Sequence, residues 1–217
     1  MIFVGIAGPS GSGKSTLCNF FIESGCDVYN LDKVAKRFYP DAAEQIKNEF
    51  GPETIDERGS VNSNVLAKIV FADPEQMAKL NAIMIPHIGK FFYALCGEDG
   101  GKMMQNEGRV VVFDAAVIYE TNWVAAIDYM IFVDAPLDVR VQRLMQGRKI
   151  PEDVAKMQAG AFNYSKVKLR KQDVKINNVG DSSTAIDKLK LWLEEIRKPQ
   201  YSEDKNERYT GWSGLAV

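Results

Sequence analysis

The chain has 217 residues, 46% of them hydrophobic, which suits one sizeable α/β domain or a core with an inserted subdomain and excludes a disordered or fibrous class. Its 27 Lys and Arg against 29 Asp and Glu leave a net charge of -2, so charge gives no broad case for a nucleic-acid or membrane partner, and any anion site is local. Cys18, Cys26 and Cys96 lack metal-ligand spacing and read as small packing groups in a reducing cytoplasm.

The first predicted element is Ile2 to Ala7, a short apolar run that reads as a strand. It has no basic region before it and ends in glycines, so it does not read as a signal peptide. Gly8-Pro9-Ser10-Gly11-Ser12-Gly13-Lys14-Ser15 then fits the G-x-x-x-x-G-K-S/T spacing in full, between a predicted strand and a predicted helix. Glycines at 8, 11 and 13 let the backbone curl so that several N–H groups face one phosphate, and the helix N-terminus adds partial positive charge. Lys14 supplies a full charge to the β- and γ-phosphates, and the Ser15 hydroxyl is offered to Mg²⁺. Gly8, Ser10, Gly11, Ser12, Gly13, Lys14, Ser15 and Thr16 are therefore candidate ATP contacts, with Lys14 also a catalytic cation.

Cys26 to Tyr29 is a weaker strand candidate. It is followed by Asp32, which a doubly wound sheet would place at its carboxyl edge as a catalytic base. The competing role for Asp32 is a helix N-cap before Lys33-Val34-Ala35. From 41 to 105 the periodicity is helical, with Val65, Leu66, Ile69 and Val70 on one face and Leu80, Ile83 and Met84 on another, which reads as an inserted helical subdomain. Gly97 to Gly101 closes its last helix, and the lone His87, beside Pro86, reads as packing or solvent-facing rather than as a base.

Val110 to Phe113 is the next strand, ended by Asp114 in the manner of a Walker B carboxylate that holds Mg²⁺; a strand-end turn residue is the competing role. Glu120 is either a further substrate or metal contact or an exposed loop acid. After the strand Met130 to Val133 come Arg140, Arg143 and Arg148, the first two i, i+3 neighbours if helical. Arginine suits the spreading charge of a phosphoryl in flight, which makes Arg143 and Arg148 candidate catalytic cations; a solvated basic face is the alternative. Lys166, Lys168, Arg170 and Lys171 read as surface charge. Val174 to Ile176 is a fifth strand, and Lys188 to Arg197, with Leu189, Leu191, Trp192 and Ile196, a terminal helix. After Pro199 the chain turns polar and reads as a mobile terminus, although Tyr209 and Trp212 could dock.

The pattern predicts an α/β P-loop NTPase fold: a five-stranded parallel sheet flanked by helices, with a helical acceptor-binding insertion and a short lid around Arg148. The core is expected over 1–40 and 106–198, the insertion over 41–105 and the tail over 199–217.

In order and spacing these residues are similar to the dephospho-coenzyme A kinases. The anchors are the phosphate loop, Asp32 with Val34-Ala35, Gly59 to Phe71 with Leu66 and Val70-Phe71, Leu80-Asn81 with Pro86, Asp114 with Glu120, Arg143, and Asp173 through Ile176 to Asn178. The resemblance covers most of residues 1–190 and implies transfer of phosphate from ATP to the ribose 3′-hydroxyl of dephospho-CoA. It also implies that Asp32 is the base, that 41–105 binds the CoA moiety, and that the segment around Asn178 and Gly180 lies by the adenine. The chain departs from the family pattern on the acceptor side. Ser63 stands where the family has Arg, Ile85-Pro86 where it has His-Pro, Ala116-Val117-Ile118 where it has Pro-Leu-Leu, and Gly147-Arg148-Lys149 at the Arg-Asp of the lid. A kinase for another nucleoside monophosphate and an ATP-binding regulatory module stay open as alternatives. The expected partners are a small-molecule acceptor, no nucleic acid and no membrane, for a monomer or weak homo-oligomer.

Overall fold

A computed structural model describes residues 1–96, 109–115, 118–180 and 183–198. The expectations for Gly97 to Gly101, for Ala116-Val117, for the side chain of Glu120 and for the tail with Tyr209 and Trp212 lie outside the described residues. Each apolar run forms a strand: β1 (Ile2–Ala7), β2 (Asp27–Asn30), β3 (Val110–Asp114), β4 (Tyr129–Asp134) and β5 (Val174–Asn177). They make a five-stranded parallel sheet in the order β2-β3-β1-β4-β5. Central β1 pairs with β3 on one side, Ile2 opposite Val110, and with β4 on the other, Val4 opposite Tyr129. The chain leaves β1 for β2 in one half of the sheet and leaves adjacent β3 for β4 in the other. Such a switch point is where open α/β sheets place their ligands.

Alternation along β1 sends Val4 and Ile6 to a face covered by α1 (Lys14–Glu23) and α8 (Ser183–Ile196). Trp192 of α8 meets Tyr129 edge-on at 5.4 Å and Phe21 at 6.4 Å, joining both helices to β4. The last helix begins ahead of its predicted start at Lys188 because Ala185 and Ile186 already pack on this core. Two further helices, α6 (Leu137–Arg148) and α7 (Glu152–Gly160), pack on each other through Val141, Leu144, Ala155 and Ala159.

Arg170 corrects the expectation of surface charge. Its guanidinium donates to the carbonyl of Ile127 at 2.9 Å and to Asp173, whose side chain is fully buried. Asp173 also accepts from the backbone N–H of Met130 at 2.9 Å, and neighbouring Asp128 accepts from that of Phe3 at 2.9 Å. The group fastens the amino-terminal ends of β1 and β4 to the turn before β5.

Residues 30–95 form a second compact unit, the rest of the described chain the first. The division falls after Tyr29 rather than near residue 40, since α2 (Leu31–Arg37) starts with no linker after β2, Asn30 accepting the Lys33 N–H as its cap. The unit continues with α3 (Tyr39–Phe50), α4 (Ser63–Ala72) and α5 (Pro74–Cys96). Three of its helices bury i, i+4 stripes, at Ala42, Ile46 and Phe50, at Leu66 and Val70, and at Met84, Ile88 and Phe92. Helix α5 runs through Pro86, which removes one backbone donor, and the Met84, Ile88 and Phe92 stripe offsets that cost of ~3 kcal/mol. No helix among the described residues is long and apolar enough to cross a membrane.

Candidate active site

Strand β1 ends buried at Ala7, and the chain must turn at once into α1. The turn is built on residues that have no room for a side chain. A Cβ on Gly11, at φ 80, would lie 2.5 Å from the Arg140 carbonyl oxygen, and one on Gly13, at φ 96, would lie 2.1 Å from Asn178 Nδ2. Gly13 offers no side-chain cap, and an N-terminus without one keeps backbone N–H groups for an anion. Ser12 is fully buried, and its hydroxyl has no protein partner. Lys14 arches back over the loop, Nζ donating to the carbonyls of Gly8 at 2.7 Å and Pro9 at 3.1 Å. Ser10 is half-buried, while Ser15 and Thr16 are exposed.

Asp114 ends β3 opposite Ile6 and is 9% exposed. It lies over Cys18 on α1, whose thiol is pushed up to about 12, first by burial and then by the Asp114 charge, with Lys14 pulling the other way. One thiol thus feels both the loop's cation and the strand's carboxylate. The Ser15 hydroxyl and the Asp114 carboxylate are hard oxygen donors of the kind Mg²⁺ takes. Among the described residues no three His, Cys, Asp or Glu side chains form a ready-made metal cage.

The arginines of α6 have separate tasks. Arg140 is 5% exposed, ruling out a solvated face at that position; its Nε donates to the Ala135 carbonyl at 2.8 Å and its Nη1 to that of Ala159. Arg143 donates to the carbonyls of Asn178 at 3.0 Å and Gly180 at 3.3 Å. Arg148 is exposed and holds Gln158 at 2.8 Å, just before Lys149, which ends α6 at φ 53.

Several contacts had no local signature. Asn178, 6% exposed, donates through Nδ2 to the Ser12 carbonyl at 2.9 Å, and its N–H meets the Asp134 carbonyl at 2.7 Å. The Asp134 carboxylate in turn accepts from Tyr164 Oη at 2.8 Å; burial and then that bond push the phenol up to about 12. Tyr164 completes an aromatic group with Phe132 and Phe162. Only the hydrogen-bonding side chains at the strand ends, Asp134 and Asn178, could have hinted at this.

Asp32 belongs to the second unit, where it is exposed in the first turn of α2. It is not the cap of that helix, a place taken by Asn30. Tyr39 is pushed up by burial and then by the Asp32 charge. His87 packs its ring 6.2 Å from that of Phe38, in line with the packing role.

Residues 2–184 match the protein family described as dephospho-CoA kinase. A dephospho-CoA kinase of Thermobifida fusca is 28% identical over 205 residues, covering 93% of this chain and 100% of that protein. One from Chlorobium luteolum is 30% identical over 185 residues, 82% of this chain and 83% of its own. Among solved structures, a Thermus thermophilus protein superimposes with a TM-score of 0.69 at 25% identity, over 91% of this chain and 98% of that one.

Proposed function

We propose that this chain, which belongs to the dephospho-CoA kinase family, moves the γ-phosphoryl group of ATP to the ribose 3′-hydroxyl of dephospho-CoA, giving coenzyme A and ADP. The observation that carries the ATP half is the curled loop at the head of α1, closed over by Lys14 and flanked by Asp114. Gly8, Ser10 to Gly13, Ser15 and Thr16 hold the phosphates, and Lys14 stays with the γ-phosphoryl as charge moves onto it. Mg²⁺, held by Ser15 and Asp114, would offset the charge of the triphosphate. Asp32 takes the proton of the acceptor hydroxyl. The hydroxyl oxygen bonds to the γ-phosphorus as its bond to the bridging oxygen breaks, and ADP leaves.

Arg148 is the cation for the transferring group, on a lid formed by the end of α6 and α7, and the helical unit of residues 30–95 takes the acceptor. The reading makes the partners small molecules and places the protein in the cytoplasm as a monomer or weak homo-oligomer. The test is ADP release with ATP-Mg²⁺ and a panel of dephospho-CoA, ribo- and deoxyribonucleoside monophosphates, and no acceptor. Stimulation by dephospho-CoA alone is expected. Stimulation by a monophosphate instead would make Ser63 and Ile85 specificity changes, and none by any acceptor would leave a nucleotide-binding module.

A further inference from the structure

The amide of Asn178 is nearly enclosed, and each of its hydrogen-bonding groups named so far has a specific partner. Its Nδ2 reaches the Ser12 carbonyl at 2.9 Å, its N–H the Asp134 carbonyl at 2.7 Å, and its carbonyl accepts from Arg143 Nη1 at 3.0 Å. Arg143 also holds the Gly180 carbonyl at 3.3 Å, so one guanidinium fixes the segment after β5 at two points. On the other side, the Asn178 amide occupies the space a side chain at Gly13 would need. Ser12 and Gly13 are the two residues immediately before the lysine of the phosphate loop, and the Ser12 peptide links them.

We infer that Asn178 and Arg143 are positioning residues for the phosphate loop: Arg143 fixes Asn178, and Asn178 fixes the Ser12–Gly13 peptide that aims the loop's N–H donors at the phosphates. This inference rests on the nucleotide-binding reading of the loop but not on the identity of the acceptor. It also gives Asn178 a task distinct from touching the base. A peptide whose carbonyl is held from outside cannot rotate, so the N–H on its other side keeps its direction without help from the ligand. The group is preorganised, and its loss is felt by any polyphosphate, whatever base it carries.

The experiment measures the affinity of the full chain for ATP, GTP and inorganic tripolyphosphate, with no acceptor present, in Asn178→Ala, Asn178→Asp and Arg143→Ala. Asn178→Ala is expected to weaken all three ligands by about tenfold, since it removes one hydrogen bond and strands a buried carbonyl. Asn178→Asp should be worse than Ala, because it sets a carboxylate oxygen against the Ser12 carbonyl. Arg143→Ala, at a half-buried site, should weaken all three by about threefold. Combined with Asn178→Ala it should add little, since both act on one peptide. A loss confined to ATP, with GTP and tripolyphosphate unaffected, would make Asn178 a base contact and overturn the inference, as would unchanged binding in the Arg143 variant. An unsubstituted protein that bound none of the three would instead sink the nucleotide reading itself.

Discussion

Lys14 and Asp32 sit in different compact units and have separable consequences. Lys14 covers the loop carbonyls of Gly8 and Pro9, so Lys14→Ala removes the charge for the phosphates and uncovers two acceptors at the same place. Binding of ATP should weaken on the order of 10- to 100-fold, with activity lost in parallel. Asp32→Asn keeps the shape of an exposed side chain and should leave ATP affinity alone while lowering kcat by about 10²- to 10⁴-fold. Nucleotide titration and steady-state rates on the two variants check the pair, and unchanged turnover in Asp32→Asn would remove its role as base. Lys14 and Ser15 were legible in the sequence because the phosphate loop is a local motif. Asn178 bonds to Ser12 across 166 residues, and no spacing rule spans such a gap. Arg143 was likewise legible as a cation but not as a brace, since which carbonyls it meets depends on where the segment after β5 comes to rest.

Strand positions followed from apolar runs, and the observed ends differ from the predicted ones by a residue or so. Asp114, Asp134 and Asn177 extend their strands because the parallel ladder continues to pair beyond the last apolar side chain. Helix α2 opens two residues ahead of the cap that Asp32 offers in the sequence, because Asn30 already accepts the Lys33 N–H. Basic residues at 166, 168, 170 and 171 resemble a solvated face until the strand ends are brought together, which hides the pairing of Arg170 with Asp173 from the sequence. Arg170→Ala would leave the Asp173 carboxylate buried without its cation and should destabilise the fold by ~3–5 kcal/mol. Arg170→Lys should recover only part of this, because an ammonium cannot fork to Asp173 and the Ile127 carbonyl together. Urea midpoints of the two variants decide it; full recovery by lysine would mean that charge alone holds the fastening.

At the scale of the molecule, burial raises several acidic groups together. Cys18 is held at about 12 against an ordinary 9.0, Tyr164 at about 12 against 10.0, and Tyr119 is raised as well by burial and then by Asp173. The folded chain keeps these protons after the unfolded chain has lost them. The stability they contribute is complete below pH 9 and falls as pH rises from 9 toward 12. Denaturation measured from pH 8 to 11 should show that decline, and Cys18→Ala should flatten its first part; an equal slope in that variant would free Cys18 of the role. The parallel sheet also bears on how the chain is made. Ile2 waits for Val110 and Val4 for Tyr129 before either can pair, so β1, buried along most of its length in the finished fold, leaves the ribosome well before its partners exist. At about 5–20 residues per second the delay is roughly 5–20 seconds. Over that interval an unpaired apolar strand is open to aggregation, and a nascent-chain chaperone that shields it would raise the yield of active protein more than one acting after release.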